Sequence, residues 1–418
     1  MKKIFGFTLA AVSILSAFAL AACSNSNKTA KGNNSSESAA VSGNEKKSNK
    51  DEAKTEAPNK EADTLVIGGI APLTGDLSSY GIAAKQGAEY AVDEINAAGG
   101  VQVGDKSYKL ELDFKDDEGD EQKAVTSYTA LKVDGAKALI GGITSASSMA
   151  VSDYSKDDYL LQISPSATSA GVTSEPNVFR IGFTDEAQGQ KMAEYVINEG
   201  YQQIVLFHNE EDEYSKAVYE AFKKALGDKE MGGIVVADET YVKGDIDFAA
   251  QFMSFNDTEE SLIVYFGYNN EGAALIEYAR NTDNDSDFIG ADGMEFVTEK
   301  VSDSAVLDGA AFTTDFLSET GGERAAKFTS GYEKKYKTNA GRIAAAAYDA
   351  VYAVKEAAQE AGSIDNEALV NAMHRIKFEG STGNIEFDEA GESNHEVGLV
   401  HLEGGRCRCF WCGVMWCF

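Results

Sequence analysis

The stretch that decides the fold runs from residue 141 to residue 171 and reads GGITSASSMAVSDYSKDDYLLQISPSATSAG. Short apolar strands are predicted at 138–140 and 159–163, with a helix between them, and a small polar loop follows each strand. Both loops carry clustered hydroxyls beside Gly or Ala, namely Thr144, Ser145, Ser147 and Ser148 in the first and Ser164, Ser166, Thr168 and Ser169 in the second.

Loops that follow strands lie at the carboxyl edge of an open α/β sheet, where ligand crevices form. The helix that begins near Ser145 would point its free N–H groups and the positive end of its dipole into that crevice. This combination predicts a site for a small anion such as a carboxylate. Each loop alone is better explained as a helix N-cap. The succession of two such loops favours a binding site.

Around this stretch, apolar strand patterns alternate with amphipathic helix patterns. Strands are predicted at 65–70, 108–114, 204–207, 234–238, 262–266 and 288–290, and helices at 82–98, 122–134, 185–198, 215–226, 248–255 and 270–280. The C-terminal part predicts helices at 323–336, 342–361 and 366–374 and strands near 384–387 and 396–402. Such alternation predicts an α/β fold with parallel sheets, and 418 residues suffice for two doubly wound, Rossmann-like lobes.

Residues 1–23 have the pattern of a targeting segment. Lys2 and Lys3 precede an apolar stretch at 4–20, and the sequence Leu-Ala-Ala-Cys then ends at Cys23. This arrangement resembles the bacterial lipoprotein signal, which implies that Cys23 is lipidated and that the protein is extracytoplasmic and anchored to the cell membrane. An ordinary cleaved signal is the alternative.

Two further segments differ in composition from the rest of the chain. Residues 24–63 are rich in Ser, Asn, Lys, Glu and Ala and contain no aromatic residue, so we expect a disordered tether. Residues 407–418 contain four of the five cysteines and both tryptophans. We interpret them as an anomalous tail without assigned function, because their CxCxxC spacing is only weak evidence for a metal site.

Charge and motifs exclude several classes of function. The net charge of −31 argues against a nucleic-acid partner, because phosphates would be repelled. The chain has no dinucleotide-binding GxGxxG after a strand, no P-loop and no HExxH, and its four histidines are scattered. We therefore predict a protein that is not an enzyme and needs no cofactor or metal.

Several motifs together carry a family resemblance. In chain order they are APLTGDLSSYG, GAEYAVDEINAAGGV, DFKDDEGD, IGGITSASS, SPSATS, FRIGFTDEAQG, HNEEDEYSKA, VYFGYNNEGAALI, FIGADG and TGNIEFDEAGE. The chain from about residue 65 to 402 resembles the branched-chain amino-acid (Leu/Ile/Val) binding proteins of ABC importers. The resemblance implies the type I periplasmic-binding-protein fold, in which two lobes joined by a multi-crossover hinge close on a free amino acid.

The resemblance also implies how the chain is divided and what it binds. We expect lobe 1 at 64–184 plus about 315–375, and lobe 2 at 185–314 plus about 376–406. The expected partners are a small zwitterionic amino-acid ligand, an ABC permease and the membrane, through the lipid anchor. We expect a monomer. A ligand-sensing receptor subunit and a binder of a neutral amide-type solute are the alternatives.

Nine ligand-binding residues follow from the same resemblance. Ser145 matches the hydroxyl that binds the ligand carboxylate, and Thr168 matches a second hydroxyl, which also approaches the ammonium. Ser166 stands where the family offers a backbone carbonyl to that ammonium. The remaining positions line the cleft and are Tyr80, Ala167, Asp185, Tyr214, Tyr268 and Asp292. Asp292 replaces the Glu that is common in the family, and its shorter carboxylate still suits an ammonium.

Overall fold

The computed structural model describes residues 63–255, 261–317 and 322–404, together with the backbone of residues 406–409. The predicted signal (1–23), the predicted lipidation site Cys23 and all but the last residue of the predicted tether (24–63) lie outside the described residues. Residues 410–418 of the tail lie outside them as well.

The first lobe is built on a six-stranded sheet with the order β2-β3-β1-β4-β5-β6. Its strands are parallel except for the β2–β3 pair. The strands are β1 (Asp63–Ala71), β2 (Val101–Val103), β3 (Lys106–Asp116), β4 (Ala138–Ile140), β5 (Leu161–Ser164) and β6 (Val178–Arg180). The helices that pack on this lobe are α1 (Ser78–Ala97), α2 (Glu121–Val133) and α3 (Ser145–Asp158).

The second lobe is built on a seven-stranded sheet with the order β15-β14-β11-β10-β9-β7-β8. Its strands are β7 (Ile204–His208), β8 (Val235–Thr240), β9 (Leu262–Phe266), β10 (Asp287–Gly290), β11 (Ala310–Thr314), β14 (Gly398–Glu403) and β15 (Arg406–Cys409). Its helices are α4 (Asp185–Glu199), α5 (Glu213–Asp228), α6 (Ala249–Phe252) and α7 (Asn269–Asn281). Two sheets, each covered by helices on both faces, confirm the predicted fold class.

The C-terminal elements return to the first lobe before β14. They are α8 (Gly322–Tyr336), α9 (Arg342–Ala361), α10 (Asn366–Met373), β12 (Lys377–Glu379) and β13 (Asn384–Glu386). Helix α9 packs closely on α1 because Gly87 has no side chain, and a Cβ there would lie 2.0 Å from the Ala344 carbonyl oxygen. The chain thus passes between the lobes after β6, after β11 and before β14.

At this level the structure departs from the sequence expectations in the C-terminal part, in one helix and in one strand. Residues 376–387 were assigned to lobe 2, but Ile376, Ile385 and Phe387 lie in the core of the first lobe. The helix expected at 248–255 spans only Ala249–Phe252, because the backbone N–H groups of Ser254 and Phe255 bond to carbonyls three residues back instead of four. Strand β11 was missed because its sequence AAFTT has a weak strand pattern.

The first residues of the anomalous tail belong to the second sheet. The backbone of β15 pairs with β14 in antiparallel register, with Cys407 opposite Leu402 and Cys409 opposite Val400. None of the helices in the described part of the chain combines the length and apolar composition needed to cross a membrane.

Candidate functional site

The two hydroxyl-rich loops lie side by side at one edge of the first sheet, because β4 and β5 are parallel neighbours. The side chain of Thr144 caps α3 by accepting a hydrogen bond of 3.2 Å from the backbone N–H of Ser147. The Ser145 hydroxyl oxygen accepts hydrogen bonds of 3.3 Å from the backbone N–H groups of Thr168 and Ser169. One side chain therefore ties the first loop to the second.

Ser145 remains able to bind an anion in this position. Its oxygen uses lone pairs in the two loop contacts, so its O–H hydrogen is free for a further acceptor. The residue is only 2% exposed and lies at the start of α3, where the helix dipole favours negative charge. The loops thus offer a dry position for a carboxylate.

Tyr214, Tyr268 and the Asp292 carboxylate from the second lobe face these loops, together with Tyr80 from the first lobe. The Asp292 carboxylate accepts a hydrogen bond of 2.7 Å from the Tyr214 hydroxyl. The hydroxyl of Tyr80, on α1, donates to the Gly293 carbonyl across the cleft (2.5 Å). The Tyr268 ring lies 5.8 Å from the Tyr80 ring and 5.1 Å from the Tyr214 ring, measured between centroids. Burial raises the pKa of all three tyrosines, so they remain neutral hydrogen-bonding groups.

Eight of the nine predicted residues surround one cavity of about 20 Å³. Its walls are Tyr80, Ile143, Thr144, Ser145, Ser166, Ala167, Thr168, Tyr214, Tyr268, Asp292, Gly293 and Ile343. Asp185 does not line the cavity. Its carboxylate accepts hydrogen bonds from the Ser169 hydroxyl (2.9 Å) and from the Gln188 amide (2.8 Å), so it supports the second loop from behind.

Burial raises the pKa of Asp185 to about 7. The nearby charge of Asp292 also raises it, whereas the hydrogen bonds that the carboxylate accepts lower it. Because the unfolded pKa is near 4, the unfolded chain releases this proton between about pH 4 and 7 while the folded protein keeps it. The contribution of Asp185 to stability is therefore greatest below pH 4 and falls as pH rises to 7. Relative to Asp185→Asn, which imitates the neutral acid, the parent should lose on the order of 3 kcal/mol as pH rises through that range. Chemical denaturation of both proteins across this range measures it. A pH-independent difference would contradict the expectation.

Arg342 is the site residue that the sequence analysis missed. It is the first residue of α9, it is only 3% exposed, and its guanidinium donates to the Asp292 carboxylate at 2.5 Å. Two backbone carbonyls, those of Pro165 (3.4 Å) and Ser166 (3.3 Å), also face it. A signal was present in the sequence, because a cation opening an alanine-rich helix is unfavourable at the positive end of the helix dipole and needs a partner.

Three carboxylates surround this buried guanidinium. Burial opposes the charge on Arg342, but Asp292, Asp315 and Glu295 outweigh that effect and raise its pKa. Burial raises the pKa of Glu295 to about 7, although Arg342 and the first backbone N–H groups of α9 favour the charged form.

Within the described residues, no cluster of three or more metal-ligating side chains is placed to hold a metal ion.

A larger cleft of about 620 Å³ adjoins the cavity, and Thr144 and Tyr268 border both. Its lining is strongly acidic, with Lys243 facing Asp76, Asp120, Glu121, Asp153, Glu211, Asp212, Glu213 and Glu271. The approach to the inner cavity therefore favours positively charged groups over simple anions.

Two α/β lobes that face each other across a buried polar cavity, joined by three chain crossings, define a bilobal binding protein. The model of the periplasmic binding protein family matches residues 64–406, and the chain belongs to that family. It is 30% identical over 333 residues to Leu/Ile/Val-binding protein homolog 3 of Brucella melitensis, covering 78% of this chain and 88% of that relative. It is 33% identical to Leu/Ile/Val-binding protein BraC3 of Rhizobium johnstonii over 241 residues, 57% of this chain but only 64% of that relative.

Solved structures give the same fold. The branched-chain amino-acid transporter substrate-binding protein LivJ of Streptococcus pneumoniae, in complex with isoleucine, is 28% identical with a TM-score of 0.77, covering 83% of this chain and 98% of that one. A solute-binding protein of an ABC transporter from R. palustris, in complex with benzoate, is 23% identical with a TM-score of 0.73, covering 83% and 95%. The latter shows the shared fold alone.

Proposed function

We propose that this protein binds a free α-amino acid, branched-chain or similar in size, between its lobes and delivers it to an ABC importer. The observation that carries the proposal is the polarity of the inner cavity. Hydroxyls and a helix N-terminus lie on one side of it, and the Asp292 carboxylate lies on the other. A zwitterion needs both, because leaving either charge unpaired on burial costs several kcal/mol.

The carboxylate end is assigned to Ser145, Thr168 and the first turn of α3. The ammonium end is assigned to Asp292 and to the Ser166 carbonyl, with Tyr214 holding the Asp292 carboxylate in place. The described charges around the ammonium position are unbalanced, since Arg342 alone faces Asp292 and Asp315 together with Glu295, whose raised pKa leaves it partly charged near neutral pH. A ligand that brings a positive charge is therefore favoured there, and the acidic outer cleft favours its entry.

The size of the cavity supports a closing motion as part of the function. A space of about 20 Å³ holds roughly one water molecule. An amino acid can therefore enter only when the lobes separate, and contacts such as Tyr80 to Gly293 close over it afterwards. The three chain crossings are the segments about which the lobes would rotate.

Ligand screening tests this proposal directly. Thermal unfolding of the purified protein against all twenty amino acids, benzoate and a small amide should show stabilisation by one group of amino acids. At 100 times its Kd a ligand stabilises by about 2.7 kcal/mol. Stabilisation by benzoate or the amide, with none by amino acids, would replace the amino-acid proposal with one of those ligand classes.

Binding, not catalysis, is the proposed activity, as it is for the relatives described above.

Measurement of ligand uptake by cells distinguishes a role in transport from a role in sensing. A strain that lacks the protein should lose accumulation of the radiolabelled ligand and regain it on complementation. Normal accumulation, with loss only of a ligand-induced response, would favour the sensing alternative.

We further propose that Cys23 anchors the mature protein to the membrane. Cys23→Ala should shift the protein from the membrane fraction to the soluble fraction, because it removes the sulfur to which the lipid would be attached. Cys412→Ala, which changes a cysteine outside the signal, is the control and should stay with the membrane. Membrane retention of Cys23→Ala would refute the anchor.

A further inference from the structure

Arg342 occupies the acceptors that the proposed ammonium would use. Its Nη2 atom lies 2.5 Å from Asp292 Oδ2 and 3.3 Å from the Ser166 carbonyl oxygen. The guanidinium also lies over the Phe183 ring, with its Cζ atom 5.1 Å from the ring centroid, beside the first crossing between the lobes. A ligand ammonium and this guanidinium therefore compete for the same two oxygens.

A second set of acceptors lies behind the guanidinium. Asp315 Oδ1 is 3.9 Å from Arg342 Nε, and the side chain of Asp315 is 1% exposed. Among the described residues, neither carboxylate oxygen of Asp315 has a hydrogen-bond partner, and the Nε atom of Arg342 has none either. The Glu295 carboxylate faces the backbone N–H groups of Arg342 and Ile343 but has no side-chain donor among those residues. A buried carboxylate without a donor is costly. Asp315 therefore gains a partner, and Glu295 gains a side-chain donor, if the guanidinium moves toward them.

There is also space for such a movement. A cavity of about 180 Å³ is bordered by Arg342 and Glu295, together with residues such as Thr314 and Phe316. Asp315 lies between two of these residues in the chain, directly after β11. The cavity thus leaves room for the Arg342 side chain to shift toward Glu295. Asp315 already lies 3.9 Å from its Nε atom.

We propose that ligand binding exchanges the partners of Arg342. In the exchange the ligand ammonium replaces the guanidinium on Asp292 and on the Ser166 carbonyl, and the guanidinium pairs with Asp315 and Glu295. This inference rests on the proposed amino-acid function and deepens it. Arg342 becomes a specificity-determining residue. When the guanidinium leaves Asp292, only a ligand that carries a positive charge can take its place as the ionic partner of that carboxylate.

Two substitutions should change the affinity for L-leucine in opposite directions. Arg342→Gln removes the competitor for Asp292, so the Kd for leucine should fall by about tenfold. Asp315→Asn removes the receiving carboxylate, so the Kd should rise by about tenfold. In the double variant the Asp315→Asn effect should vanish, because no guanidinium remains to be received. Isothermal titration calorimetry on the four proteins measures all three effects.

Controls separate the exchange from general damage. Arg280→Gln changes a partly buried arginine whose donors serve the Asn284 and Ser286 carbonyls, away from the cleft, and Asp308→Asn changes an exposed carboxylate that accepts from Gly404 N–H. Both should bind leucine like the parent. Asp315→Glu restores a carboxylate and should recover most of the affinity that Asp315→Asn loses. If Asp315→Asn weakened binding only by disturbing the structure, the longer side chain of Asp315→Glu would not be expected to restore it.

A deaminated analogue, 4-methylpentanoate, provides the second readout. It carries the carboxylate but no ammonium, so Arg342→Gln should not improve its binding, and the preference for leucine over the analogue should increase. Weaker leucine binding by Arg342→Gln, or an unchanged Kd in Asp315→Asn, overturns the exchange while leaving the amino-acid function intact. A parent protein that binds no amino acid overturns both.

Discussion

Asp292→Ala is expected to weaken binding of the amino-acid ligand by about 2–5 kcal/mol, the largest single loss in the site. The ammonium would then be buried without its counter-charge and would face the Arg342 guanidinium, which now lies 2.5 Å from the Asp292 carboxylate. Ser145→Ala removes one hydrogen bond to a charged group and should cost about 1.5–3 kcal/mol. Calorimetry on both variants tests the order of the two losses.

Two further variants show whether the loss comes from charge. Tyr214→Phe removes the 2.7 Å hydrogen bond to the Asp292 carboxylate but keeps the carboxylate itself, so it should cost less than Asp292→Ala. Asp292→Glu keeps the charge and lengthens the side chain into a cavity of about 20 Å³, so affinity should shift toward smaller ligands. Parental affinity of Asp292→Ala for every amino acid would mean that the ligand carries no ammonium.

Asp349→Ala is expected to lower the free energy of unfolding by about 3–5 kcal/mol. Asp349 lies in α9, is fully buried, and accepts hydrogen bonds from the backbone N–H groups and hydroxyls of Ser381 and Thr382, at 2.6–3.1 Å. The substitution leaves the two backbone N–H groups unpaired, although the Ser381 hydroxyl still contacts the Ala345 carbonyl and the Thr382 hydroxyl still contacts His395. It also loosens the segment that follows β12 from the helix that carries Arg342. Urea denaturation followed by circular dichroism measures the change.

The matched control for Asp349 is an exposed aspartate on another helix. Asp93, on α1, is 67% exposed and pairs with Lys335, so Asp93→Ala should change stability by less than about 1 kcal/mol. The loss of stability in Asp349→Asn should lie between the losses in Asp349→Ala and Asp93→Ala, because the amide keeps one acceptor oxygen but turns an NH₂ group toward donors. Equal stability of Asp349→Ala and the parent would show that the donors find other partners.

Much of the fold could be predicted from local pattern. Helix α9 begins and ends at the predicted residues, 342 and 361, because its apolar face is continuous and Gly362 ends it in the left-handed conformation. The short strands β2, β6 and β12 were not predicted, since three residues carry too little periodicity to recognise. The return of residues 376–387 to the first lobe was also missed, because the choice of core depends on packing and not on their own sequence.

The sequence alone determined the α/β alternation and the two hydroxyl loops, because both are local patterns whose position after a strand already places them at one sheet edge. Only the tertiary structure decided the electrostatics of the cleft. Asp292 and Arg342 are separated by 50 residues in the chain, and they meet with Asp315 where the chain crosses between the lobes. Their interaction depends on burial and on distances of a few ångströms, and neither quantity is encoded in the spacing of residues along the chain.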